Sequence, residues 1–212
     1  AAGCGYPKNL EVPYKESDFW DSLPDENSVG YSMAKKMLII QSWTYREQYG
    51  FDSTILLPAN LFGPYDNFNL ESSHVVPALV RKIFEANLAG DSLVEVWGSG
   101  KASREFLYVE DTAKAILDTA ELCNISGPLN LGTGRETSIK ELVELIANLI
   151  GFSGEISWDE SKPDGQPRRF YDMSKLEAEL GYVPSTSLID GLSKTIKWYK
   201  NNRDTILAKD EK

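Results

Sequence analysis

Ser53-Thr-Ile-Leu-Leu-Pro58 is a short, apolar and partly β-branched run. Apolar at successive positions rather than alternate ones, it predicts a strand buried on both faces, the kind found in parallel sheets covered by helices. The strand is expected to end where Asn60-Leu-Phe-Gly-Pro64 turns the chain. Parallel strands need long crossovers, usually helical, and helical patterns lie on both sides of the run. Residues 31–49 predict a helix with Met33, Met37, Ile40 and Trp43-Thr44 near one face and Gly50 as its stop. Downstream the pattern predicts a helix over 75–89, a strand over 93–97 before Gly98-Ser-Gly100, a strand over 104–109 and a helix over 109–122. A strand over 128–131 follows, then a helix over 137–150 capped by Thr137 or Ser138 with Glu141 in its first turn and ended by Gly151. A strand near 155–158, the polar stretch KPDGQPRR and helices over 174–180 and 188–199 complete the pattern, with the last twelve residues a solvated tail. The opening AAGCGY, small and apolar, is expected to be a buried strand at the edge of a parallel sheet. The fold class is α/β, without internal repeats.

The formal charge of −10, from 22 Lys+Arg against 32 Asp+Glu, argues against a broad surface for nucleic acid. It leaves room for a phosphorylated small molecule, which needs only one or two well-placed cations. Cys4 and Cys123 are too few for a disulfide scaffold, and no apolar stretch reaches the roughly 18 residues a membrane helix needs. A soluble cytoplasmic protein without a membrane partner is expected, with Asn124-Ile-Ser126 an accidental glycosylation sequon.

Tyr31-Ser-Met-Ala-Lys35 places a phenol and an ammonium four residues apart on one helix face. An ammonium that near favours the phenolate, which suits the oxygen to exchange a proton with a carbinol or carbonyl. Taken alone, the same spacing fits a surface Tyr and Lys. His74, the only histidine, fits either acid-base work or a hydrogen-bonded bystander. Cys4, among small residues, fits packing. Trp97 fits a core aromatic at a strand end, and Arg104 an ion-pair partner of Glu105.

The order of these features resembles the extended short-chain dehydrogenases: a small-residue segment with Cys4 and Tyr6-Pro7, the Tyr31 helix, then Leu57-Pro-Ala-Asn-Leu-Phe-Gly-Pro64. Ser73-His-Val-Val-Pro-Ala-Leu79, Val96-Trp-Gly-Ser-Gly100, Arg104-Glu-Phe-Leu-Tyr-Val109, Asn130-Leu-Gly-Thr-Gly134 and Ser161-Lys-Pro-Asp-Gly-Gln-Pro-Arg168 are similar to the GDP-L-fucose synthase family, nearly from end to end. The resemblance implies the C-terminal part of a Rossmann-like parallel-sheet domain over 1–64, joined to a smaller α/β GDP-sugar domain over 65–212. Segments near 104–135 return to the Rossmann sheet. It implies NADPH-dependent 3,5-epimerisation and 4-reduction of GDP-4-keto-6-deoxy-D-mannose, no metal, and a homodimer. Cys4 matches the family's base and His74 its acid. Tyr31 would stabilise the enolate and protonate the C4 oxygen, while Lys35 assists Tyr31 and holds the cofactor ribose. Pro58, Ala59, Asn60, Leu61 and His74 would face the nicotinamide end of NADP, and Lys82, Trp97, Arg104 and Asp164 the GDP-sugar.

Three departures qualify this. Lys82 stands where the family more usually has arginine, which replaces a fork to the diphosphate by a point charge. Ala2 stands two residues before the cysteine, where the family has a serine or threonine bonded to the substrate oxygen; losing such a donor costs on the order of 10²–10³ in rate. The Gly-rich first half of the Rossmann domain is expected to be absent, since Gly132-Thr-Gly134 lacks the spacing of a dinucleotide fingerprint. Weak NADP binding by the chain alone follows from that expectation. The competing readings are another nucleotide-sugar epimerase or dehydratase and a non-catalytic nucleotide-sugar-binding fragment.

Overall fold

The computed structural model describes residues 1–122, 125 and 127–210. Cys123, Asn124 and Ser126 of the sequon lie outside the described residues. The helices are α1 (Val29–Tyr49), α2 (Val75–Ala89), α3 (Val109–Leu122), α4 (Ile139–Ile150), α5 (Ser174–Leu180) and α6 (Leu188–Asp210). The strands are β1 (Ile55–Pro58), β2 (Asn60–Phe62), β3 (Leu93–Trp97), β4 (Ser103–Arg104), β5 (Phe106–Tyr108), β6 (Pro128–Leu131), β7 (Thr137–Ser138), β8 (Glu155–Asp159) and β9 (Arg168–Arg169). The chain forms an α/β structure of two compact units, one of Ala1–Leu61, Glu105–Glu136 and Arg168–Ser185, the other of Phe62–Arg104, Thr137–Pro167 and Thr186–Lys212. Among the described residues no helix is long and apolar enough to cross a membrane.

In the first unit the apolar run forms β1, which pairs in parallel with β6, Ile55 opposite Pro128 and Pro58 opposite Leu131. Leu57, Leu129 and Leu131 are fully buried; β6 is buried at every position, whereas in β1 Ile55 and Leu57 are buried and Leu56 and Pro58 only half-buried. Asn130, polar in the middle of β6, is satisfied there. It accepts from the Tyr6 hydroxyl at 2.6 Å, and its amide donates to Tyr14 O at 2.9 Å and Asp172 O at 3.3 Å. These bonds sit in a core with Tyr6, Tyr14, Phe19, Leu107, Tyr171 and Leu176.

Helix α1 forms where the periodicity predicts one but turns a different face inward. Ser32, Lys36 and Ile39 are buried, whereas Met33, Met37 and Ile40 are exposed. A lysine can occupy the inner face because its stem packs while its ammonium donates to Phe19 O at 2.6 Å and Ser22 O at 3.3 Å. The same ammonium lies 4.9 Å from the centre of the Phe19 ring and 5.2 Å from that of Trp20.

Residues 1–6 are not the expected strand. The Ala1 nitrogen donates to Leu56 O at 3.0 Å, and the chain then enters a 3₁₀ turn over Gly3–Gly5. A side chain on Gly5 would meet the Phe19 ring 2.4 Å away, so contacts remote in sequence dictate the small residues here.

In the second unit β3 pairs in parallel with β8, Leu93 opposite Glu155 and Trp97 opposite Asp159, and Ser103–Arg104 pairs antiparallel with β7. Helices α2, α4 and α6 bury Val80, Ile83, Leu142, Ile146, Leu192 and Tyr199 completely. The capping box of α4 is present: Ser138 Oγ accepts from Glu141 N at 3.1 Å, and the Glu141 carboxylate accepts from Ser138 N at 2.8 Å.

Helix α6 continues to Asp210, well into the expected tail, because Arg203 finds a partner. Its Nε donates to Glu85 Oε1 at 2.8 Å and its Nη2 to Oε2 at 2.6 Å, while the Tyr199 hydroxyl donates to Oε1 at 2.7 Å. The bonds from Arg203, ahead of that from Tyr199, hold the Glu85 carboxyl below its usual range. A depressed carboxylate stabilises above its unfolded value of about 4.3, and that contribution is lost as pH falls through the folded value. Glu85→Gln is expected to cost about 1.5–3 kcal/mol at neutral pH and less in acid, measured by urea unfolding at both pH values.

Candidate functional site

Tyr31 opens the first turn of α1, and helical geometry brings Lys35 beneath it, the ammonium 5.2 Å from the ring centre. Tyr31 is 58% exposed. Neither polar end makes a hydrogen bond among the described residues. Lys35 thus keeps three unused N–H donors beside a phenol that can donate or accept. Such a set fits the vicinal hydroxyls of a ribose.

Ser32, fully buried beside Tyr31, donates its hydroxyl to Cys4 O at 3.0 Å and ties the Gly3–Gly5 turn to α1. Cys4 is a free, half-buried thiol. The loop after β1 is held through its backbone: Ala59 N donates to Leu131 O at 2.8 Å and Asn60 N to Glu105 O at 3.2 Å. Pro58, Ala59 and Asn60 are half-buried and Leu61 is exposed.

Glu105 organises the rest of this unit. It breaks the strand expected over 104–109, because its side chain, 1% exposed, turns inward as an acceptor for three backbone N–H groups. Oε1 accepts from Thr133 N and, at 2.7 Å, from Gly134 N; Oε2 accepts from Tyr171 N at 2.9 Å. Burial raises its carboxyl above the usual range, and the three backbone bonds oppose that. The sequence alone offers Glu105 only as an ion-pair partner of Arg104 and does not single out Tyr171. The one signal is an acid beside the apolar run Phe106-Leu-Tyr-Val109.

In the second unit His74 is the exposed N-cap of α2, its side chain unused in capping, and Lys82 lies half-buried on the same helix. The other three predicted residues share one corner. Trp97, 66% exposed, ends β3 with the Lys162 ammonium 5.5 Å from its ring centre. Asp164 accepts from Ser99 Oγ at 2.7 Å and Ser99 N at 2.6 Å. The Ser99 bonds, then the charges of Lys101 and Arg104, hold its carboxyl below its usual range. Arg104 donates to Ser103 O at 2.7 Å and Gln166 O at 2.6 Å, so backbone carbonyls orient its guanidinium. Gly165, at φ +74°, lies beneath it, where a side chain atom would sit 3.2 Å from Nη2.

A model of the NAD dependent epimerase/dehydratase family matches residues 1–132. The chain belongs to this family. Among its members, the chain is 43% identical to GDP-L-fucose synthase 1 of Arabidopsis thaliana over 95% of its length, spanning 62% of that protein. It is 38% identical to the GDP-L-fucose synthase of Escherichia coli over 96% of its length, spanning 66% of that protein. A crystal structure of a GDP-L-fucose synthetase from Naegleria fowleri bound to NADP superposes with a TM-score of 0.87 at 31% identity, with 96% of this chain and 65% of that one covered. The chain therefore spans less than two-thirds of the length of these relatives, within a Rossmann-like α/β fold.

Proposed function

We propose that the protein performs the chemistry of a GDP-L-fucose synthase, the NADPH-dependent 3,5-epimerisation and 4-reduction of GDP-4-keto-6-deoxy-D-mannose. The unit holding Tyr31 would bind the dinucleotide and the unit holding Arg104 the GDP-sugar. One observation carries the reading: an unpartnered Tyr31–Lys35 pair stands on the helix whose Ser32 anchors the turn of Cys4. The Cys4 thiolate removes a proton α to the C4 ketone. The C–H bond breaks, an S–H bond forms, and the electron pair moves onto the C4 oxygen, where the Tyr31 hydroxyl stabilises it. His74 returns a proton to the opposite face. NADPH would supply the hydride for C4 when bound, and Tyr31 gives its proton to the C4 oxygen. Lys35 holds the ribose and keeps a positive charge beside Tyr31 that stabilises the phenolate left when its proton is given, with Pro58, Ala59, Asn60, Leu61 and His74 along the nicotinamide end. Arg104 and Lys82 bring positive charge to the diphosphate, Trp97 offers an exposed ring, and Asp164 is a fixed acceptor for hydroxyls. A homodimer is proposed with it, supported by the exposed apolar residues Met33, Met37, Leu38 and Ile40 of α1.

With GDP-4-keto-6-deoxy-D-mannose and NADPH at concentrations that overcome the weak binding expected of the chain alone, the protein is expected to oxidise NADPH and release GDP-L-fucose, followed by mass spectrometry. Calorimetry with GDP and UDP checks the base. Preference for UDP would overturn the substrate assignment and leave a different nucleotide-sugar epimerase.

A further inference from the structure

Tyr171 is fixed from several sides, yet its polar end is unused. Phe170 O accepts from Tyr14 N and Asp172 N donates to Tyr14 O, both at 2.9 Å, which pins the backbone on either side of it. Its own N–H donates to the Glu105 carboxylate. The ring, 3% exposed, packs 5.6 Å from Tyr6 and 6.3 Å from Tyr14 between ring centres. The hydroxyl has no hydrogen-bond partner among the described residues. A tyrosine is usually placed so that its tip has something to bond.

That tip lies at the turn of Cys4. A Cβ built on Gly3 would fall 1.7 Å from Tyr171 Oη and 3.0 Å from Pro58 O. The hydroxyl therefore rests on the Gly3 backbone, next in sequence to the thiol and against the start of the 58–61 loop. Glycine is required at position 3 because the tyrosine fills the space of a side chain. Burial, reinforced by Glu105 and Cys4 and opposed by Arg169, holds the phenol above its ordinary range, so it remains a donor through neutral pH.

We propose that Tyr171 is a further catalytic residue, whose hydroxyl donates a hydrogen bond to the oxygen of the 4-keto sugar as Cys4 removes the neighbouring proton. The inference rests on the reading of Cys4 as the base. No proton leaves Tyr171 in this step: the thiolate takes the carbon-bound proton, and the electron pair reaches an oxygen that the phenol stabilises. Ala2, two residues before Cys4, offers no hydroxyl of its own to that oxygen.

The test is deuterium incorporation into GDP-4-keto-6-deoxy-D-mannose in D₂O without NADPH, followed by NMR, for the protein, Cys4→Ser, Tyr171→Phe and Tyr171→Phe with Ala2→Ser. Tyr171→Phe keeps the ring and is expected to slow exchange about 10²-fold with its thermal unfolding midpoint unchanged. Adding Ala2→Ser is expected to restore at least tenfold of that loss, which a purely structural defect would not allow. Exchange in Tyr171→Phe within twofold of the unaltered protein, or a loss that Ala2→Ser leaves in place, overturns the inference alone. Exchange that is absent from the unaltered protein, or that persists in Cys4→Ser, overturns the reading of the site and this inference with it.

Discussion

Glu105→Ala is expected to remove about 4 kcal/mol or more of stability, a large share of the roughly 5–15 kcal/mol that holds a typical domain folded. Three backbone donors, Thr133 N, Gly134 N and Tyr171 N, converge on this one carboxylate. Each buried donor left without an acceptor costs about 1–3 kcal/mol, and alanine leaves all three. The vacated side chain also opens a cavity, which adds its own cost. The carboxylate packs against Gly132, where a Cβ would sit 2.1 Å from Oε1, so the turn is built around it. Glu105→Gln is expected to be milder, about 1–3 kcal/mol: its amide keeps one acceptor oxygen, and the cost arises because its N–H₂ cannot accept from the remaining donors. Urea unfolding followed by far-ultraviolet circular dichroism ranks the three proteins. The pH dependence has a defined sign. A carboxyl raised by burial binds its proton more tightly in the folded state, so its stabilisation is fully present below about pH 4.3 and declines as pH rises through the folded value. Glu105→Gln should flatten that decline. Because the same carboxylate holds Tyr171 N–H, any Glu105 variant that still folds should also lose deuterium exchange at the sugar.

The contrast between Glu105 and α4 shows what the sequence makes legible. In α4, Leu142, Val143 and Ile146 recur at helical spacing, and Ser138 and Glu141 stand at capping-box distance, so local spacing alone specifies the element. The strand β1 is equally plain from its composition, although only its Ile55 and Leu57 face is fully buried. Glu105 takes its meaning from donors 28, 29 and 66 residues away, and nothing near it in the chain announces them. The Gly3–Gly5 turn is similar: small residues there resemble a packed strand until Tyr171 and Phe19 are seen occupying their side-chain space. In α1 the period is legible and the phase is not, because residue type marks Met33 and Met37 as core and Lys36 as surface, while the carbonyls of Phe19 and Ser22 reverse the last of these. For the candidate site, Tyr31 and Lys35 are legible together since one helical turn suffices to pair them. Tyr171 enters only through the tertiary structure, as does the clustering of Trp97, Asp164 and Arg104 around Ser99 and Gln166.

Tyr31→Phe is expected to lower turnover of GDP-4-keto-6-deoxy-D-mannose by about 10²–10⁴ with unfolding unchanged within about 0.5 kcal/mol. The two halves of that expectation come from the same geometry. The ring is more than half exposed and its hydroxyl bonds to nothing among the described residues, so the fold loses little with it. A proton donor poised over Lys35 has no replacement within α1, since the neighbouring hydroxyl of Ser32 is already committed to Cys4 O and Ser28. Lys35→Met should lower turnover as well and weaken NADPH binding, which fluorescence titration reads without any reaction. Turnover within tenfold of the unaltered protein in Tyr31→Phe would return the pair to an ordinary surface tyrosine and lysine. If Tyr31 and Tyr171 both serve the sugar's C4 oxygen, the double phenylalanine variant should lose less than the product of the two single losses, because each hydroxyl stabilises the same developing charge. Independent losses would instead place the two phenols on different oxygens of the substrate, and the deuterium pattern at C3 and C5 would show which step each one serves.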